Sequence, residues 1–237
     1  MKTLIMILGF LLFIGQISGQ TNQWTFDENQ GTTAFPTRGN VNGVLNNAQW
    51  RDLSKVGPGA CVRITGADNS YVNFGGSVGQ FGTQAFTVAF WVQTSDTLSL
   101  YDLLGDRTAT GHGNFLAIRM TGGGVVSAEV DQDAQGTNYI GVQSTQSGLN
   151  DGNWHQIAVT RSGGTLNLYI DGAFSNSGSA NGVANINNNN PLRFGRSLQA
   201  PGTSRFAPDA LFDDLYIYNS ALSSNRIRSL YNGATNQ

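Results

Sequence analysis

Asp151–Gly172, DGNWHQIAVTRSGGTLNLYIDG, decides how the chain is read. Turn signals stand at both ends and in the middle: Asp151-Gly152, Ser162-Gly163-Gly164 and Asp171-Gly172. Between them lie two β-prone segments, Trp154–Arg161 and Thr165–Ile170. Leu166, Leu168 and Ile170 alternate with Thr165, Asn167 and Tyr169, the period of a strand buried on one face only. In the partner segment Ile157 and Val159 share a face, opposite Gln156, Ala158 and Thr160. A hairpin cannot bury such a face alone, so a second sheet must cover it.

Working outward, short strand-like segments recur about every ten residues. They are Gln23–Phe26, Ala48–Arg51, Ala60–Ile64, Tyr71–Phe74 and Phe86–Gln93, then Leu98–Leu104, Asn114–Met120, Val125–Asp131 and Tyr139–Gln143. Leu192–Gly195 and Leu211–Tyr218 follow the hairpin. Gly31–Asn47, rich in Gly and Asn, shows no regular element. One helix is expected, Ser224–Asn232, with Ser223 as N-cap and Gly233 as its stop. Many short strands with almost no helix imply an all-β sandwich or barrel, here one domain over residues 20–237.

The chain opens Met1-Lys2-Thr3, runs apolar from Leu4 to Ile14, then turns polar and small to Gly19. That pattern predicts a secretory signal peptide over residues 1–19, and the apolar run is too short to span a membrane. The expected location is secreted or extracellular, or periplasmic or cell-surface in a bacterium. Only 12% of residues are charged and the formal net charge is −2. With 13 Lys and Arg scattered along the chain, no basic patch suits nucleic acid. Cys61 is the only cysteine, which excludes an intrachain disulfide and favours a small buried thiol. No Asn-x-Ser/Thr acceptor for N-glycosylation occurs.

Four segments come in an order that carries a family resemblance. They are Trp24-Thr-Phe-Asp-Glu28; Phe86-Thr-Val-Ala-Phe-Trp-Val92; Asn153-Trp154-His155 with Leu168-Tyr169-Ile170-Asp171-Gly172; and Phe212-Asp213-Asp214-Leu215-Tyr216-Ile217-Tyr218 running on to Ser223. Together they resemble laminin-G-like jelly-roll domains of the concanavalin A-like lectin/glucanase superfamily. The resemblance implies two antiparallel sheets packed face to face and a mostly non-catalytic role binding glycans or proteins outside the cell, often with calcium. Two departures stand out. Phe35–Asn40 replaces the Asp and Ser-Gly-Asn that many members carry in the first loop, which puts one metal-loop ligand in doubt. Arg226 stands where many have Glu, so no capping box forms.

Period-two counting puts Asp213 in phase with Leu211, Leu215 and Ile217, on the face expected to be core. A carboxylate there needs hydrogen bonds or a cation, and Ca2+ shared with Asp27 is one solution. Trp91, Arg119, Glu129, Tyr139 and Gln143 are expected to point away from the core, with Asp106 and Arg107 in the adjoining loop. A flat aromatic ring packing on a sugar face, flanked by amides, suits a neutral glycan. Glu129-Val-Asp131-Gln-Asp133 invites comparison with the Glu-x-Asp-x-Glu strand of laminarinase-type glycosidases, which share the fold, so Glu129 and Asp133 form an alternative catalytic pair. His155 reads as structural beside Trp154, and His112 lies in a Gly-rich loop. The favoured reading is a secreted, non-catalytic carbohydrate-binding module; the alternative is an adhesive protein that binds another protein or its own copy.

Overall fold

A computed structural model describes residues 20–55, 59–67, 69–108, 110–196, 198 and 207–233. The expected signal peptide, residues 1–19, lies outside the described residues. In chain order the strands are β1 (Gln20–Trp24), β2 (Thr33–Ala34), β3 (Gly43–Asn46), β4 (Gln49–Arg51), β5 (Cys61–Thr65) and β6 (Tyr71–Asn73). Then come β7 (Phe86–Thr94), β8 (Leu100–Gly105), β9 (Phe115–Thr121), β10 (Val126–Asp131) and β11 (Ile140–Gln143). The last are β12 (Trp154–Ser162), β13 (Thr165–Ile170), β14 (Ala173–Ser179), β15 (Arg193–Phe194) and β16 (Asp209–Tyr218), before helix α1 (Ser224–Tyr231).

These strands form two antiparallel sheets, as the jelly-roll reading requires. The first runs β14-β13-β12-β7-β16-β5-β4, with β1 also paired to β16; the second runs β11-β10-β9-β8-β15-β6-β3-β2. Apolar side chains from both inner faces close the core. Its centre is aromatic: Phe194 of the second sheet stacks on Phe212 of the first at 4.7 Å and meets Phe90 edge-on at 5.3 Å. Such rings bury large area and add about 0.5–1.5 kcal/mol per well-oriented pair.

The expected hairpin is β12–β13, with Val159 opposite Leu168 and Ser162 opposite Thr165. Its closing turn leads further than the sequence reading took it. Asp171 (φ 51°) and Gly172 (φ 73°) form a two-residue turn with both residues left-handed, and β14 pairs back along β13. Ala-Phe-Ser-Asn-Ser-Gly-Ser shows no apolar alternation because only Ser175 of that edge strand is buried. The supposed loop Gly31–Asn47 likewise holds β2 and β3.

The hairpin is also less one-sided than its alternation implies. Tyr169, Ala158 and Ala89 lie on the outer face but pack with Tyr216, Tyr218, Leu222, Ile227 and Leu230 in a second apolar cluster beneath α1. Ser223 caps the helix by accepting from Arg226 N, and no acidic residue stands in its first turn.

Arg161, fully buried on β12, is satisfied by carbonyls. Its guanidinium donates to Gly82 O (2.6 Å), Gln84 O (2.7 and 3.2 Å) and Ala184 O (3.0 Å). It lies over Phe86 and ties two loops to the sandwich edge. Arg161→Met leaves three carbonyls without this donor, at about 1–3 kcal/mol each where water cannot replace it. The expected loss in unfolding free energy is about 3 kcal/mol or more. An unchanged urea midpoint would show that the clamp does not hold the loops.

Candidate functional site

The second sheet presents its site by simple alternation. Leu116, Ile118, Met120, Ala128, Val130, Ile140 and Val142 enter the core, so Ala117, Arg119, Ser127, Glu129, Gly141 and Gln143 take the outer face. Cross-strand register then arranges them in rows. Asp102, Arg119, Ser127 and Gln143 lie side by side in one row. Gly105, Ala117, Glu129 and Gly141 lie in the next. In that second row Glu129 is the only residue with a long side chain. A low floor results, and two adjoining cavities of about 180 and 250 Å³ share Glu129 and Tyr139 in their walls.

Tyr139, 38% exposed, stands over the floor; a Cβ added at Gly141 would lie 2.6 Å from its hydroxyl. Arg107 Nη1 donates to Glu129 Oε2 at 2.5 Å, and its Nη2 donates to Gly111 O at 2.7 Å. The guanidinium stacks on Phe115, 4.0 Å from the ring centroid. Burial and the neighbouring Arg119 pull the Arg107 pKa down, while Glu129 opposes that shift. Burial and then the Glu129 charge push the Tyr139 phenol up. His112 completes this end: its Nδ1 lies 2.7 Å from Asp131 Oδ2, and its ring meets Tyr139 edge-on at 5.1 Å.

Of the residues singled out from sequence, Arg107, Glu129, Tyr139 and Gln143 meet at this surface. Arg119 shares the face but is 7% exposed, with Nε donating to Asp102 Oδ1 at 3.0 Å. Asp106 turns inward, where its oxygens accept from Leu116 N (2.8 Å) and Asn188 Nδ2 (3.0 Å). Its role is to brace the Asn187–Asn190 segment against β9, and burial raises its pKa to about 7. Trp91 belongs to the other sheet and offers no open ring: Tyr231 stacks on it at 5.3 Å and Lys55 Nζ lies 4.6 Å from its centroid. His112, Phe115, Ser127 and Gly141 are the additions. The alternation of β9 and β10 signals Phe115 and Ser127, whereas His112 reaches the site through a loop.

The pair Glu129 and Asp133 is not assembled. β10 ends at Asp131, and Asp133 turns into the following loop to accept from Gln135 N and Thr137 N, each at 3.0 Å. The remaining carboxylate on that face, Asp131, is fully buried and accepts from Gly113 N and Gln132 N besides meeting His112. A two-carboxylate hydrolysis needs both groups flanking one bond.

Asp213 also departs from its expected place. A bulge between Asp213 and Tyr216 shifts the phase of β16: Phe212 enters the core, and Asp213 sits opposite Trp91 on the outer face. Asp213 Oδ2 accepts from Lys55 N (2.7 Å) and Ser54 Oγ (3.0 Å), and Oδ1 accepts from Asp214 N (3.0 Å). Asp27 Oδ1 accepts weakly from Ala60 N at 3.4 Å. Among the described residues no group of three or more His, Cys, Asp or Glu side chains is placed to hold a metal ion.

Comparison with known proteins agrees with this architecture. The described residues form a two-sheet sandwich of the concanavalin A-like class. The chain belongs to the Laminin_G_3 family of the concanavalin A-like lectin/glucanases superfamily, whose sequence profile matches residues 65–228. No curated protein matches it in sequence. Among solved structures, it is similar to the binding domain of Paraclostridial Mosquitocidal Protein 1, with TM-score 0.70 and 20% identity over 90% of this chain and 52% of that one. The Botulinum Neurotoxin serotype G binding domain gives TM-score 0.67 at 14% identity, covering 90% and 50%. The binding domain of Botulinum Neurotoxin DC in complex with SialylT gives 0.68 at 16%, covering 92% and 52%. The chain therefore spans about half the length of these domains, and at such identities the likeness concerns the fold.

Burial raises Asp213 to about 7 and Asp214, which also feels Asp213, to about 8. His155 is raised by Asp171 at 2.8 Å and Asp151 at 3.2 Å. In each case the native state holds a proton that the unfolded chain releases at lower pH. The associated stability is present below the unfolded pKa and is lost as pH rises through the folded one. The melting temperature should fall between pH 5 and pH 8.5, and Asp214→Asn should flatten that fall. A melting temperature that rises over this interval would contradict the assignment.

Proposed function

We propose that this chain is an exported, non-catalytic module that binds neutral oligosaccharide along the outer face of the second sheet. The carrying observation is that two buried arginines of that surface face carboxylates, Arg107 on Glu129 and Arg119 on Asp102, while the His112 ring lies against Asp131. These ion pairs take up the charge of both arginines and offer fixed donors and acceptors to sugar hydroxyl groups. Held in place by the sheet and by one another, these groups lose little freedom on binding. The Tyr139 ring and the low floor of Gly105, Ala117 and Gly141 accommodate the apolar face of a pyranose.

Toxin binding domains of the same fold, one of them in complex with SialylT, support a binding role. No helix among the described residues is long and apolar enough to cross a membrane. The reading of residues 1–19 as a signal peptide supports export. For Asp213, we infer that a proton and the donors from Ser54, Lys55 and Asp214, rather than calcium, manage the buried charge.

On a glycan array, the mature protein should select neutral oligosaccharides. Glu129→Gln and Tyr139→Ala should each weaken that binding at least about ten-fold, the scale of one or two lost hydrogen-bonding or stacking contacts. Trp91→Phe should leave it unchanged. Absence of binding to any glycan, or release of reducing sugar that Glu129→Gln abolishes, would overturn the reading. Addition of a chelator should leave both binding and melting temperature unchanged; a drop in melting temperature would place a stabilising ion on the protein.

A further inference from the structure

Beyond the paired arginines of the glycan surface, the outer face of the second sheet carries Arg193. It opens β15, with Asn73 of β6 on one side and Gly105 of β8 on the other. Phe194, the next residue, enters the core, so Arg193 points outward by alternation. Three strand spacings, about 14 Å, separate it from Glu129.

The guanidinium is held by stacking alone. It lies over the Tyr71 ring, 4.3 Å from the centroid, and the contact fixes its plane. Among the described residues it makes no hydrogen bond or ion pair, and its Nε is buried without a partner. Other arginines of the sandwich are satisfied: Arg63, Arg107 and Arg119 each bond a carboxylate, and Arg161 bonds carbonyls. Burial pulls the Arg193 pKa down; Tyr71 opposes this and the neighbouring Arg196 adds to it, with no described carboxylate acting on the group. A half-buried cation without an acceptor is destabilised until one from outside meets it. A second donor stands beside it. Asn73 Oδ1 accepts from Gly75 N at 2.9 Å, which leaves the Nδ2 end of that amide unbonded among the described residues.

We propose that Arg193, with Tyr71 beneath it and Asn73 beside it, is a binding site for a compact oxyanion, a sulfate or a carboxylate. A guanidinium fixed in its plane offers parallel N–H donors that match two oxygens of either group. The site is separate from the glycan surface, whose arginines already hold carboxylates.

The test is a titration of the isotope-labelled mature protein with sodium sulfate and, separately, sodium acetate, each against sodium chloride at equal ionic strength. Amide NMR shifts should saturate with sulfate or acetate, centred on Tyr71, Asn73, Arg193 and Phe194, and the tighter arm names the preferred anion. Arg193→Gln should abolish the saturable shifts. Asn73→Asp, which sets a carboxylate opposite Arg193, should weaken the anion at least ten-fold and raise the melting temperature. The proposal is overturned if neither anion gives saturable shifts at these residues. It is also overturned if Asn73→Asp, or a folded Arg193→Gln, binds as tightly as wild type. Neutral oligosaccharides from the array should bind Arg193→Gln as they bind wild type; a loss would place Arg193 in the glycan surface and overturn a separate site. Failure of Glu129→Gln to weaken glycan binding leaves the anion titration unchanged, so the two readings fail separately.

Discussion

Strand β16 carries the constraint on which the remaining structure depends. One of its edges pairs with β7 along most of its length, and the other divides between β5 and β1. The first described strand is thus held to the chain by a strand nearly two hundred residues away. Satisfying all three partners forces the strand to change phase partway, because each partner must also bury its own apolar set. The bulge at Asp213-Asp214 is that phase change. Asp214 takes φ +46°, a conformation that Asp tolerates better than a β-branched residue. The insertion turns a carboxylate outward while Phe212, Leu215 and Ile217 stay in the core.

The two outer faces then diverge for a physical reason. The outer face of the first sheet carries tyrosines and alanines that water would leave unstable, and a short helix covers them with Ile227 and Leu230. The helix has only eight residues, too few for stability in isolation, so the cover and the covered face stabilise each other. The outer face of the second sheet carries small residues and paired charges and needs no cover. A polar surface can stay in water and leaves its hydrogen-bonding groups available.

Alternation made much of this legible. The hairpin and the outward set Arg119, Glu129 and Gln143 follow from the period of two; Trp24 and Phe26 are both buried as expected, although β1 ends at Trp24 and Phe26 takes φ +56°. What the sequence concealed depends on contacts between distant residues. Trp91 alternates outward as expected, yet nothing local reveals that Tyr231 will lie on it. β14 lacks apolar alternation because it is an edge strand of Ser and Asn, although the Asp171-Gly172 turn before it is a strong hairpin signal. His112 and Asp131 are separated by a strand and a loop, so only the folded register brings them together. Asp213 was misplaced because period-two counting fails across a bulge that no glycine announces.

The central claim is that the uncovered face of the second sheet holds the ligand. The most direct measurement is residue-resolved NMR shift mapping of the labelled mature protein, titrated with the tightest oligosaccharide from an array. Shifts should concentrate at Glu129, Tyr139, Gly141 and Gln143, with residues around Trp91 and α1 unaffected. Shifts confined to the first sheet, or spread without a centre, would contradict it.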